Sequence, residues 1–131
     1  MLLLNKLSVL SGGNTSFRSI QVVGTSTSSA ASCTCPSGVA AGDFIIYLQR
    51  AVNFVGVPSS VNPSGFTSEI SFTDSFHTRL MLSVKIAAGT EGGTSITGMN
   101  GSVSNYKTII VIRGNLPLTA YVSNSENSQL T

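Results

Sequence analysis

His77 is the only histidine in the chain, and Asp74 stands three residues before it in "TDSFHT". With a serine nucleophile, the pair would suggest a hydrolase. That chemistry needs a base within reach of the nucleophile and a third group orienting the base. No GxSxG run is present, the nearest string "GTSTS" does not satisfy it, and Asp74 and His77 fall on one turn. Cys33 and Cys35, in "SCTCP", are spaced to share one face of a strand, which sets them too far apart for an easy mutual disulfide. A metal centre would need more ligands than two thiols and one imidazole. The glycine-rich stretch "GTEGGTSITGMNG" lacks the Gly-Lys-Ser/Thr that opens a helix in a phosphate-binding loop. Glu91 within it suits a turn cap or one ligand of a calcium site, but the five acidic residues are too dispersed to build such a site. Asp43 follows Gly42, and that pair is turn chemistry: the carboxylate binds local backbone while glycine supplies a permissive dihedral. Tyr47, Tyr106 and Tyr121 could stack on sugars, although tyrosines on strands commonly serve as amphipathic residues at the core edge. The expectation is a non-enzymatic protein with no catalytic set, no cofactor and no metal.

These residues sit in a chain of 131 residues, one domain's worth. Only 9% are charged, against about 25% in ordinary globular proteins. Mean hydropathy is +0.31, and the polarity comes from Ser, Thr, Asn and Gly. A neutral polar surface offers little repulsion between copies. The net charge is +2, the seven Lys and Arg are scattered and there is no Trp. A nucleic-acid groove needs clustered cations and aromatic platforms, so no nucleic-acid partner is expected. The opening "MLLLNKLSVL" is too short to span a bilayer and fits a signal peptide poorly. We therefore expect no membrane partner and synthesis in the cytoplasm.

The elements that must position these residues are strands. Residues 1–16 read as an N-terminal arm, with leucines first and then Gly12-Gly13-Asn14. "FRSIQVVG", Phe17 to Gly24, alternates as a first strand, and "TSTSSAASCTC" reads as a second, edge-type strand. After the turn "GVAAGD" the chain becomes strongly apolar from Phe44 to Leu48, as a central strand would be. "FTSEISF" places Phe66, Ser68, Ile70 and Phe72 on one face. "HTRLMLSVKIAAG" places Leu80, Leu82, Val84 and Ile86 on one side, with Arg79, Met81, Ser83 and Lys85 on the other, as in a half-buried strand. "YKTIIVIRG", Tyr106 to Gly114, is β-branched and apolar. "NLPLTAYV" suits a short last strand, and residues 124–131 form a polar tail. No long segment has the 3.6-residue period. The expected fold is all-β: a single antiparallel β-sandwich over residues 17–123, jelly-roll-like, with an extended N-terminal arm.

The order of turns and strands resembles a β-rich domain of tailed-bacteriophage virion proteins. Its elements here are Gly42-Asp43 before an apolar strand, and Pro63, Gly65 and Phe66 in a turn where the family often carries Trp. Ala88, Gly89, Thr90 and Glu91 end the next strand, and Arg113-Gly114 closes the last. The match runs from about Pro36 to Gly114. The resemblance implies a structural virion protein, made in the host cytoplasm. As a capsid decoration or cement protein it would contact the major capsid protein or other virion proteins, as a homo-oligomer and in particular a homotrimer. The same module occurs in tail and head fibres, which gives the alternative of a fibre module binding host surface carbohydrate. The assembly residues expected from the arm are Leu2, Leu3, Leu4, Leu7 and Leu10, which have little to bury against in a lone domain that already has a sandwich core.

Overall fold

The structure, a computed structural model, describes residues 20–74 and 77–114. The expected arm, the strand in "NLPLTAYV" and the polar tail lie outside these residues. Seven strands follow in order: β1 (Gln21–Ser28), β2 (Ser32–Thr34), β3 (Phe44–Val52), β4 (Thr67–Thr73), β5 (Thr78–Ile86), β6 (Ser95–Thr97) and β7 (Ser104–Arg113). There is no helix among the described residues.

Five strands form one antiparallel sheet in the order β1-β7-β3-β5-β4, and β2 pairs with β6 in a small second layer. The chain is thus all-β and sandwich-like, with unequal layers. The jelly-roll element of the expectation is not confirmed by this order. β3 is the middle strand, as its apolar run implied. Its alternation is strict: Ile45, Tyr47, Gln49 and Ala51 are all fully buried, while Leu48 on the opposite side is 41% exposed. The same inward face carries Met81 and Ser83 from β5 and Lys107, Ile109 and Val111 from β7. Cys33, Cys35, Ile96, Phe66 and Ala87 close over it.

Three local differences from the sequence reading have physical causes. Among the described residues the first strand spans Gln21–Ser28 and runs past the expected end at Gly24, because it pairs along β7 as far as Ser28↔Lys107. What reads as a second long strand is therefore the end of β1 plus the three residues of β2. In β4 a bulge at Glu69 changes the register between Ser68↔Ser83 and Ile70↔Leu82. One extra residue switches the faces, so Phe66 is buried in the core while Ile70 and Phe72 point outward, Phe72 being 58% exposed. In β5 the face that meets the second layer is the mixed one, with Met81 and Ser83, and the aliphatic face is turned away.

The outward side of the sheet is consequently apolar. Val22, Ile112, Phe44 and Ile86 lie in one cross-strand row. Ile110, Ile46 and Val84 form the next, and Leu48, Leu82 and Ile70 a third. Gly114 lies against Ile20, so the described chain begins and ends at one corner.

Candidate functional site

The residues singled out by spacing converge on the end of the sheet where β3 starts and β5 and β7 finish. Asp43 is 2% exposed. Its Oδ1 and Oδ2 accept from Arg113 Nε and Nη2, each at 2.7 Å, a bidentate pair. The Ala40 N–H donates to Oδ2 at 2.8 Å, and Arg113 Nη2 also donates to the Gly38 carbonyl at 2.9 Å. The turn chemistry expected of Gly42-Asp43 is present, with Gly42 at φ 88°. The Arg113 guanidinium, first among the causes, holds the Asp43 carboxyl below the usual range despite its burial.

Glu91 forms a second anchor. Its carboxylate accepts from the N–H groups of Ala88, Gly89 and Thr90 at 2.9–3.0 Å, and Lys85 Nζ lies 2.8 Å away. Burial pushes the carboxyl up, but the Lys85 ammonium and the backbone donors outweigh it and bring it down to about 2. This is turn capping. No group of three or more His, Cys, Asp or Glu that could hold a metal occurs among the described residues. Lys85 also lies 5.9 Å from the centroid of the Phe66 ring, which in turn sits 6.1 Å from Tyr47. The three turns, around residues 36–43, 63–66 and 87–94, are thus locked to the sheet by two ion pairs and one aromatic ring. Both carboxylates are saturated by the bonds that hold the loops, so neither is poised to act as a base.

Beneath the second layer lies a buried polar row. Tyr47 Oη donates to the Ile96 carbonyl at 3.3 Å. Gln49 Oε1 accepts from Met99 N–H at 2.7 Å, and its Nε2 donates to the Val61 carbonyl at 3.1 Å. Lys107 Nζ donates to the Ala30 carbonyl at 2.6 Å. A Cβ at Gly98 would strike Tyr47, Gln49 and Lys107, so only glycine lets the chain lie this close. Burial raises the Tyr47 hydroxyl and lowers the Lys107 ammonium. The row holds β6 and the residues after it, as far as Met99, against the sheet.

Of the other candidates, Cys33 and Cys35 are free thiols, each 1% exposed in the core. Burial, first among its causes, raises the Cys35 thiol. Neither position suits a redox partner. His77 is exposed, and its backbone N–H donates to Asp74 Oδ1 at 2.8 Å, so Asp74 also organises its own turn. Tyr47 is buried and not presented to a ligand, Tyr106 is half-exposed on the outward face of β7, and Tyr121 lies outside the described residues. The arm leucines Leu2, Leu3, Leu4, Leu7 and Leu10 lie outside them as well.

At the opposite end of the sheet the loop after β3 presents Phe54 and Val55, 74% and 87% exposed. It is held by Asn53 N–H to the His77 carbonyl, Phe54 N–H to Ser102 Oγ, and Ser102 N–H to Asn53 Oδ1. No helix among the described residues is long and apolar enough to cross a membrane. The sequence reading missed Arg113 and Lys85 as partners of the two acids, and the buried roles of Gln49 and Lys107. The first pair depends on strand register: antiparallel pairing of Phe44 with Ile112 sets Asp43 beside Arg113. The chain matches no family model, no curated protein and no solved structure.

Proposed function

We propose that the chain is a non-enzymatic structural component of a tailed-bacteriophage virion. It would be a decoration or cement protein that stabilises the head through the major capsid protein. The virion assignment comes from the sequence resemblance, whose motif residues are the ones that fix the three turns. The observation that carries a structural role is the use of the charged groups: the ion pairs Asp43–Arg113 and Lys85–Glu91 hold loops, while the sheet turns an aliphatic face outward. Such a division suits a protein that acts by shape and contact. On this reading it works as a homo-oligomer, a trimer by the same resemblance, within the virion.

A fibre module binding host carbohydrate has one feature in its favour, the exposed rings of Phe54 and Tyr106. Copy number separates the two. Labelled protein added to particles lacking it should bind at hundreds of copies per head and raise the temperature at which heads rupture. Tens of copies at a tail or vertex would favour the fibre module, and no binding to any particle would overturn both readings.

A further inference from the structure

The outward face of the five-stranded sheet has the wrong composition for a surface in water. In an antiparallel sheet with one solvated side, that side is polar. Here Ile46, Leu48, Leu82, Val84 and Ile110 occupy its middle, and Arg50 is the one charged side chain at the outward positions of β1, β3, β5 and β7. The buried face, by contrast, holds Gln49, Ser83 and Lys107. We propose that this outward face is where copies of the chain associate with one another, sheet against sheet.

Charge and size both point to another copy. A nucleic acid or an acidic protein would call for clustered cations, and a lipid surface for a rim of Lys and Arg around the apolar patch. Arg50 alone supplies neither. Four strand spacings of about 4.8 Å and seven residues at about 3.4 Å give a patch of about 19 by 24 Å, before side-chain relief is counted. That is about 460 Å² with Thr25, Thr27, Thr67 and Thr108 included, a little over half of one side of a standard interface, about 800 Å² per partner. An extended segment about 10 Å across, such as residues 2–10 or 115–122, would cover about two of the five strands. A second sheet with the same twist and neutrality matches the whole, since sheets pack face to face about 10 Å apart at about −30°. Nor would a protein of net charge +2 resist pairing with itself by long-range repulsion.

Face-to-face packing of this sheet on its own copy closes at two chains, so the contact is a dimer contact, separate from the trimer expected from the resemblance, and it rests on the assembly reading only for its biological use; self-association is tested with the isolated full chain. Sedimentation velocity and light scattering at micromolar concentration should show an oligomer. Leu48→Lys should convert it to monomer, while Ser59→Lys, at an exposed loop position, should leave it unchanged. Should the lysine variant not fold, Leu48→Thr should fold and weaken association by at least about tenfold, from the lost burial of one leucine. A monomeric wild type, or an oligomer that survives both Leu48 substitutions, overturns the proposal. So does a monomer that associates only after residues 1–19 or 115–131 are removed, since the face would then be covered by its own chain. A monomer that still binds particles overturns this proposal and leaves the virion reading. An oligomer dispersed by Leu48→Lys that binds no particle does the reverse.

Discussion

Asp43 and Arg113 are not equal partners. The carboxylate is buried, and the guanidinium is 44% exposed. Arg113→Met strands a buried charge with the Ala40 N–H as its remaining donor among the bonds described above, whereas Asp43→Asn leaves a cation that water can solvate. Asp43→Asn should cost about 1–2 kcal/mol in urea unfolding, and Arg113→Met should cost more. Equal costs would mean that the two residues act only as packing. Glu91 gives an acid-side test. Its folded value of about 2 lies below the ordinary 4.5, so its contribution is complete above about pH 4.5 and is lost as the pH falls toward 2. Glu91→Gln should therefore be less stable than wild type at pH 7, with the gap closing in acid. A gap that stays constant from pH 7 to pH 2 would show that the charge is immaterial. Asp43 was legible as a turn residue because its bond to Ala40 is local. Arg113 was not legible as its partner, because 70 residues separate them and the contact exists only through strand register.

Among the elements, neighbouring positions on one strand should behave oppositely. Ile109 is fully buried and Ile110 lies on the outward face of β7. Ile109→Asp should abolish cooperative unfolding, since an unpaired charge in a packed core costs several kcal/mol. Ile110→Lys should still fold and unfold cooperatively, since its side chain lies outside the core. The runs that become β3 and β7 were plain in the sequence, because β-branched and apolar residues fill both sides of each. Which side is the core was not plain, and the alternation of β5 points the wrong way. Hydropathy reports how apolar a face is, but not which layer covers it. The bulge at Glu69 was hidden for a related reason: one inserted residue leaves alternation intact on either side while exchanging the faces. Circular dichroism and chemical unfolding of the two β7 variants would check the assignment directly.

At the scale of the whole molecule, deletion of residues 1–13 tests the proposed arm. The truncated protein should keep its melting temperature but lose binding to particles that lack the native protein. If the isolated domain no longer melts cooperatively, the segment belongs to the fold and the arm proposal fails. The meeting of Ile20 with Gly114 also determines how the domain bears mechanical load. Gln21 pairs with Arg113 and the register runs on to Ser28 and Lys107, so tension between those two ends acts on the first rung of the β1–β7 ladder alone. The rungs then open in succession, like a zipper, instead of sharing the load in shear. Optical-tweezers pulling from residues 20 and 114 should peel β1 at low force. Handles at residues 28 and 114, which load the ladder along its length, should require several times more.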